Sequence, residues 1–561
     1  MAYDGLVNYS IVKELKNKII DGKIDKIFEP NPEEIVLGIY SNGIKYALNL
    51  VVSSSYYRAN LTTHSKANPM QAPNFCMTLR KYLLGTHLTK IYTNGLERII
   101  FIEFEGYNKT KDFSTKKLIV ELMGKHSNII LVDSNNIILD SLKHFSIVSG
   151  SIRNIYPGAK YSLPKSDKLD FFDIKEDNDF YCVLKNNSIK LNTTSLINII
   201  SNTFTGISKN SIKALEKNLN ISDELCKESS KLLFTYISRI INEDNIVAKN
   251  FDNNYSLEII SNKKNEDLQI NFFLDDYYFT KETNTNFMNY RNNLLKLILL
   301  KLNKLNDKLD SINLKIIECK DSEKYKIYGE LITSNLYRIN DYKTDSITLE
   351  NYYDNNKEIT IPLDRSISPS LNAKKFFKKY KKLKTAKDFV NKKKLELLDD
   401  INYFESIVYE INCAKNISDI DEIYNEIQEN PINIKKTQSS KKKKSTNTSS
   451  EPIKHIIDGF TVLVGKNNKQ NDYITTKLAN KDDIWFHVKD FHGSHLILRT
   501  EGKAPNPETL YKCAELAKLH SKAMQSSNIS VDYTYVKYVK KPSNSKPGMV
   551  IYTNNRTIVV K

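Results

Sequence analysis

The chain is poor in the residues that staple a fold or span a bilayer. Its 561 residues include 6 Cys, at 76, 182, 226, 319, 413 and 513, with no CxxC pair. Such scatter argues against a disulfide framework or a cysteine zinc site and fits a reducing compartment. No run of about 18 apolar residues occurs, so no membrane-spanning helix is expected. The opening Met1-Ala2-Tyr3-Asp4-Gly5 has neither the basic segment nor the apolar core of a secretory signal. A cytoplasmic protein with no membrane partner is the expectation. P-loop, GxSxG and phosphate-binding GxGxxG motifs are also missing, so nothing marks the chain as an ATP- or GTP-consuming enzyme. No cofactor is implied. Arginine is scarce, 10 residues against 73 Lys, and there is a single Trp.

What is abundant is positive charge. The formal net charge is +17, and it is concentrated. Residues 374–394 contain 11 Lys and 1 Asp, and residues 435–444 contain 6 Lys. The remainder is close to balanced. A localised cation surplus fits a polyanionic partner. The excess of Lys, Asn and Ile also looks like a compositional bias, so Lys count alone says little.

Hydrophobic periodicity divides the chain. Residues 1–168 read as an antiparallel, β-rich α+β domain. Leu6, Val7, Ile11, Val12, Leu15 and Ile19 mark an opening helix. Strands are predicted at about 24–29, 35–41, 44–52, 98–105, 128–133 and 137–142, with Asn42-Gly43 as a hairpin turn. Pro73 and Gly85 bracket a second helix. Residues 169–285 read as mostly helical. Within them Phe204-Thr205-Gly206-Ile207-Ser208 joins two helical patterns, as a helix-hairpin-helix element does. Gly206, Ser208 and Lys209 are then candidates to hold a phosphate at a helix N-terminus. An ordinary helix–turn–helix corner would look the same.

Residues 286–430 carry sustained spacings of three and four. Leu294, Ile298, Leu302, Leu305, Leu309, Ile312 and Ile316 form one series. Phe376, Tyr380, Leu383, Val390, Leu397, Ile401, Phe404, Val408 and Ile411 form the other, with Lys387 and Lys394 in seam positions. This predicts a long antiparallel coiled-coil arm with a tip insert over 320–371. Residues 431–450 form a Lys/Ser-rich linker. Residues 451–561 form a last α/β domain with seventeen Lys/Arg against ten Asp/Glu.

That last domain contains the most informative stretch, Asp483 to Arg499, with the sole Trp and three of the 9 His. In a strand, alternate residues share a face. Trp485, His487 and Lys489 then line one face, opposite Phe486 and Val488. After the Gly493-Ser494 turn, His495 and Arg499 continue it. An aromatic, an imidazole and a cation side by side suit a base or a sugar-phosphate, so Trp485, His487, Lys489, Ser494, His495 and Arg499 are RNA-binding candidates. Trp485 as a core anchor is the competing reading. The spacing of His487, His492 and His495 is not a zinc pattern, and no metal is expected.

Taken in order, these segments resemble the NFACT-domain (RqcH/NEMF) family, some members of which carry the label fibronectin-binding. The matching stretches are Met123-Gly124-Lys125-His126-Ser127-Asn128-Ile129-Ile130-Leu131-Val132-Asp133, Tyr328 to Tyr337, Ile361 to Ser370, and Asp483 to Arg499. The resemblance implies an NFACT-N domain, a helix-hairpin-helix domain, a coiled-coil arm and an NFACT-R domain. It implies ribosome-associated quality control: binding of a large ribosomal subunit obstructed by peptidyl-tRNA, recruitment of an alanyl-tRNA, and untemplated C-terminal alanine tailing. The ribosome's own peptidyl transferase centre would form the bonds, so the chain itself would not be an enzyme. A small RNA-binding partner, RqcP, and a cytoplasmic, ribosome-associated location are implied by the same resemblance.

The family's tRNA-recognition dipeptide, Asp-Arg, corresponds here to Glu97-Arg98. The longer Glu97 retains the charge and extends its reach. A second family contact stretch falls on Glu121, Leu122 and Met123, with Lys125 and His126 beside it. The arm's Lys374, Lys375, Lys378, Lys379, Lys381 and Lys382 become candidates for ribosome binding. Two alternatives compete. A glycosylase-like nucleic-acid-binding protein shares the order of sheet and helix-hairpin-helix, yet the N-terminal proline and zinc cysteines of that chemistry are lacking. A fibronectin-binding surface adhesin would need export.

Overall fold

The computed structural model describes residues 3–107, 113–146, 153–260, 269–339, 344–429, 451–543 and 545–561. The expected linker at 431–450 lies outside the described residues. The chain forms two compact units, Met1–Asn284 and Thr285–Lys561.

In the first unit, α1 (Gly5–Ile19) starts at Asp4, whose carboxylate accepts from the Val7 amide at 3.2 Å. Asp at this position satisfies one of the amides a helix start leaves open. Leu6, Ile11, Leu15 and Ile19, spaced as the sequence predicts, are buried. They pack on a nine-stranded antiparallel sheet. Its strands are β1 (Lys23–Asn31), β2 (Glu34–Ser41), β3 (Ile44–Val51), β4 (Arg58–Leu61), β5 (His87–Thr93), β6 (Ile99–Tyr107), β7 (Phe113–Glu121), β8 (Asn128–Asp133) and β9 (Ile138–Ser141). The spatial order is β4-β3-β2-β1-β5-β6-β7-β8-β9. Asn42 and Gly43 both have positive φ, which gives the β2–β3 hairpin a turn that matches strand twist. A second helix, α2 (Asn74–Leu83), lies between β4 and β5 in sequence, with Pro73 at its N-cap. The reverse sheet face builds a smaller core from Ile99, Phe101, Ile119, Ile130 and Val132.

Four helices follow: α3 (Asp177–Leu191), α4 (Leu196–Thr203), α5 (Lys209–Leu219) and α6 (Lys227–Asn242). Phe180 and Phe204 stack at 5.3 Å, and this core is continuous with that of α1. The expectation of a mostly helical segment misses one hairpin, β10 (Ile246–Phe251) with β11 (Asn254–Ile259). A 52-residue helix, α7 (Gln269–Lys320), begins here. Its first turns are fixed by ions. Glu282 meets the buried Arg58 at 2.5 Å, and Lys66 bridges Glu34 and Glu282 at 2.8 Å each.

In the second unit the rest of α7 pairs with α9 (Pro369–Cys413). Arg291 Nε donates to the Ile411 carbonyl at 3.0 Å, so the start of one segment meets the end of the other and the pair is antiparallel. Leu294, Ile298, Leu302 and Leu305 are buried against Leu397, Ile401, Phe404 and Ile411. Each such side chain contributes about 1.5–3 kcal/mol on burial. Farther along, Leu309, Ile312 and Ile316 are half-buried, Lys387 is exposed and Lys394 half-buried. The seam loosens where the sequence puts lysines into it. Between the two helices lie α8 (Ser322–Ser334) and the hairpin β12 (Ser346–Asn351) with β13 (Lys357–Pro362). A short α10 (Ile417–Glu429) covers the seam base through Ile420, Ile423 and Ile427.

The C-terminal sheet is antiparallel throughout. It contains β14 (Ile453–Ile457), β15 (Phe460–Val464), β16 (Ile484–Val488), β17 (Leu496–Leu498), β18 (Ile529–Tyr535) and β21 (Arg556–Val560), ordered β14-β15-β17-β16-β18-β21. α12 (Pro507–Leu519) covers one face through Cys513, Ala514 and Ala517. The other face is covered too. α11 (Asn468–Tyr473), the π turn Ile474–Leu478 and the small hairpin β19 (Val539–Lys540) with β20 (Ile551–Tyr552) close over it.

Candidate nucleic-acid interface

The turn before β6 has no room for a side chain at its glycine. Gly95 has φ +55°, and a Cβ there would lie 1.9 Å from the Asp170 carboxylate. The buried Leu96 presents its carbonyl to two glycines. A Cβ on Gly5 would come within 1.8 Å of that oxygen, and one on Gly206 within 1.7 Å. The next two residues are held by their carbonyls. Asn8 Nδ2 donates to Glu97 O at 3.1 Å, and the Leu122 amide donates to Arg98 O at 2.8 Å. Both side chains remain half-exposed. Arg98 Nη1 donates to the Tyr57 hydroxyl at 2.8 Å, with the guanidinium 5.5 Å from the Tyr57 ring centre. Among the described residues Arg98 has no carboxylate partner. The Glu97 carboxylate accepts, among the described residues, a single hydrogen bond, from Asn94 Nδ2 at 3.4 Å. Burial, then Asp170 and Glu121, push its carboxyl above the ordinary range.

The second predicted contact stretch splits in two. Glu121 and Leu122 are fully buried, which corrects their assignment as contact residues. Arg153 clamps Glu121 through both Nη atoms at 2.9 and 2.7 Å, and Tyr161 donates to it at 2.9 Å. Glu121 is therefore an internal anchor. Solvent is reached only beyond Leu122: Met123 is half-exposed, while Lys125 and His126 are exposed on the 3-10 turn Gly124–His126. A Cβ on Gly124 would sit 4.0 Å from the Tyr57 ring. The Glu97–Arg98 turn, Tyr57 and the 123–126 turn thus share one neighbourhood.

The helix-hairpin-helix turn joins the same neighbourhood, but not as an open phosphate slot. Gly206 has φ +75°, and Ser208 caps α5 by accepting from the Ser211 amide. The expected anion position is filled from within. Asp4 Oδ2 accepts from the Ser208 amide at 3.0 Å and from the Ser211 hydroxyl at 2.5 Å, and the Gly5 amide donates to Gly206 O at 2.6 Å. A carboxylate already neutralises this helix start, so Gly206 and Ser208 are latch residues rather than phosphate ligands. Lys209 is exposed and donates to Asn198 at 2.7 Å. Sequence reasoning missed Tyr57, Asn8 and Lys168. Lys168 donates to the Ser201 carbonyl at 2.6 Å, and burial followed by the nearby Arg98 lowers its ammonium. A Tyr, an Asn and one Lys among 73 carry no local pattern, so no signal pointed to them.

In the C-terminal domain the expected RNA face is largely a second core. Trp485 and His495 are buried and His487 is half-buried, because the π turn and the β19–β20 hairpin lie over them. Trp485 stacks on His487 at 5.7 Å and meets His495 edge-on at 5.3 Å. His495 Nδ1 and Thr475 Oγ1 share a 2.8 Å hydrogen bond. Burial drives His487 down to about 4 and His495 down to about 3, so both are neutral near pH 7. Arg499 is held by the buried Asp483 at 3.0 Å. Lys489 is exposed and Ser494 half-buried. The alternation of the strand was legible, but the layer above it was not.

The six arm lysines, Lys374, Lys375, Lys378, Lys379, Lys381 and Lys382, are all exposed on α9. Lys375 pairs with Asp364 at 2.9 Å, and Lys379 lies 4.0 Å from the Tyr325 ring centre. The other four have no acidic partner among the described residues, which leaves a band of uncompensated charge.

Comparison with known proteins bears on both units. Residues 4–446 match the family model for NFACT N-terminal and middle domains, and residues 454–554 match the NFACT protein RNA binding domain. The chain is 32% identical over 566 residues to the Rqc2 homolog RqcH of Bacillus subtilis, covering 100% of this chain and 98% of that one. It is 32% identical over 568 residues to the Rqc2 homolog RqcH of Streptococcus pneumoniae, with the same coverage. The solved N-terminal part of the fibronectin/fibrinogen-binding protein from Streptococcus suis is 27% identical, covers 50% of this chain and 100% of its own, and aligns with a TM-score of 0.41.

Proposed function

The chain belongs to the NFACT family, and on that footing we propose that it is a ribosome quality control factor that works by positioning RNA rather than by making bonds. In this reading it binds an obstructed large ribosomal subunit carrying peptidyl-tRNA, in the cytoplasm. It recruits a tRNA, charged with alanine, and so promotes untemplated C-terminal alanine tailing of the stalled nascent chain. Bond formation belongs to the ribosomal peptidyl transferase centre, and RqcP is the expected small RNA-binding partner.

The observation that carries this reading is the pair Glu97 and Arg98. They sit side by side on a turn pinned by its carbonyls, with their charges answered by no ion pair among the described residues. A free carboxylate can accept from the donor edge of a base, and a free guanidinium can fork onto a phosphate or a guanine edge. Lys125 and His126 lie on the adjacent turn and Lys168 near Arg98, which adds charge to the same patch. The uncompensated lysines of α9 offer a second, separate surface for ribosomal RNA.

The test is a purification. Glu97 and Arg98 are replaced together by Ala, and the protein is recovered from cells with whatever RNA accompanies it. tRNA should be lost while the large subunit is retained. Retention of tRNA, or loss of both, would reject the assignment.

A further inference from the structure

We propose that Tyr57 is the positioning residue that presents the Arg98 guanidinium to bound RNA, an inference that rests on the tRNA reading of the Glu97–Arg98 turn. An arginine free in water samples many rotamers, and fixing it costs on the order of 2 kcal/mol. Proteins usually fix one with a carboxylate, and this chain does so repeatedly. Arg58, Arg153, Arg239, Arg365 and Arg499 each meet an Asp or Glu. Such a partner also cancels the charge that an RNA phosphate would need. Arg98 is held differently. Its Nη1 donates to a neutral phenol oxygen at 2.8 Å, over an aromatic face. A phenol fixes direction and leaves the full positive charge in place.

Tyr57 is itself only 3% exposed, so it is not placed to be a contact residue. Its ring is set by Tyr3, edge to face at 6.2 Å and 80°. The Tyr3 hydroxyl donates to Asn8 Oδ1 at 3.2 Å, and Asn8 Nδ2 holds the Glu97 carbonyl at 3.1 Å. One buried chain, Tyr57–Tyr3–Asn8, thereby supports both residues of the dipeptide. Lys168 lies close enough to Arg98 for the two cations to affect each other. An arrangement that brings two cations together, neither of them in an ion pair among the described residues, suits an incoming polyanion.

The experiment measures binding of the full chain to fluorescently labelled total deacylated tRNA at one fixed salt concentration. The variants are Arg98→Ala, Tyr57→Phe, the double variant, and Arg98→Lys. Arg98→Ala should weaken binding about tenfold. Tyr57→Phe keeps the ring and removes only the hydroxyl. It should weaken binding about threefold to fivefold with an unchanged unfolding midpoint, and should add nothing in the Arg98→Ala background. Arg98→Lys, which keeps the charge and loses the fork, should bind nearly as poorly as Arg98→Ala. If Arg98→Ala is weak but Tyr57→Phe matches the parent protein, or its effect adds in full to that of Arg98→Ala, Tyr57 does not position Arg98. Parent-like binding by Arg98→Lys would overturn the proposal as well, and would do so even if Tyr57→Phe does not fold. Parent-like binding by Arg98→Ala would instead remove the tRNA reading on which the inference stands.

Discussion

Gly5 and Gly206, far apart in sequence, meet backbone to backbone. The Gly5 amide donates to the Gly206 carbonyl at 2.6 Å, and the Leu96 carbonyl fills the space where either Cβ would be. Three segments converge there: the start of α1, the helix-hairpin-helix turn and the turn that carries Glu97 and Arg98. The candidate RNA site is built on this point. Gly206→Ala adds a methyl that meets backbone oxygen at 1.7 Å and puts an alanine at φ +75°. A loss of about 3 kcal/mol or more is expected. Chemical denaturation of the full chain measures it, and an unchanged midpoint would contradict the packing described.

The Glu121–Arg153 pair should act on stability before it acts on RNA. Glu121 is fully buried and bound by two parallel bonds from Arg153. Arg153→Met strands a buried carboxylate and should cost about 3–5 kcal/mol. Adding Glu121→Gln should restore part of that loss. A double variant no more stable than Arg153→Met alone would show that the penalty is not one of unpaired charge.

Acid should loosen the C-terminal domain. His495 is pushed down to about 3 and His487 to about 4 by burial, whereas both titrate near the ordinary imidazole value once unfolded. Between those limits the unfolded state holds the extra proton, so stability falls as pH falls. The slope is about 1.4 kcal/mol per pH unit for each histidine. Stability is complete above the unfolded value and is lost as pH drops toward the folded ones. Unfolding midpoints of the parent and of His495→Asn between pH 7 and pH 4 check this, and equal slopes for the two proteins would exclude it.

The arm should hold the ribosome by charge. Reversing Lys378, Lys381 and Lys382 to Glu removes three exposed cations that have no acidic partner among the described residues. Co-sedimentation with large subunits should fail, and tRNA binding by the isolated protein should persist. Undiminished co-sedimentation would move the ribosome contact elsewhere.

RNA affinity should fall steeply with salt, because phosphate contacts release counterions. The log–log slope is about −0.7 to −0.9 per neutralised phosphate, and Arg98→Ala should flatten it by about one contact. A slope near zero in the parent protein would oppose a phosphate-dominated interface.

Much of this architecture was legible in the sequence where a single period governs burial. The α1 face from Leu6 to Ile19, the Asn42-Gly43 hairpin and the Leu294–Leu305 seam appear as their spacing predicts. The local pattern marks neither β4, which is only four residues long, nor β5 and β7, where residues such as His87-Leu88-Thr89 and Thr115-Lys116-Lys117 alternate weakly. The β10–β11 hairpin was lost inside helical surroundings. At the site, Glu97 and Arg98 were found by resemblance, whereas Tyr57 and Asn8 act across long sequence separations that no local pattern encodes. The Trp485 face illustrates the limit most clearly. Strand alternation says which residues share a face and is silent on what covers it.

That covering layer makes the protein report on itself. The only indole in the chain is sealed between two imidazoles and Tyr552. Its emission therefore belongs to the C-terminal domain alone, blue-shifted while the layer is shut and red-shifted once water enters. A spectrometer tuned to tryptophan will follow that domain within the intact chain, without any label, while the other unit stays optically silent.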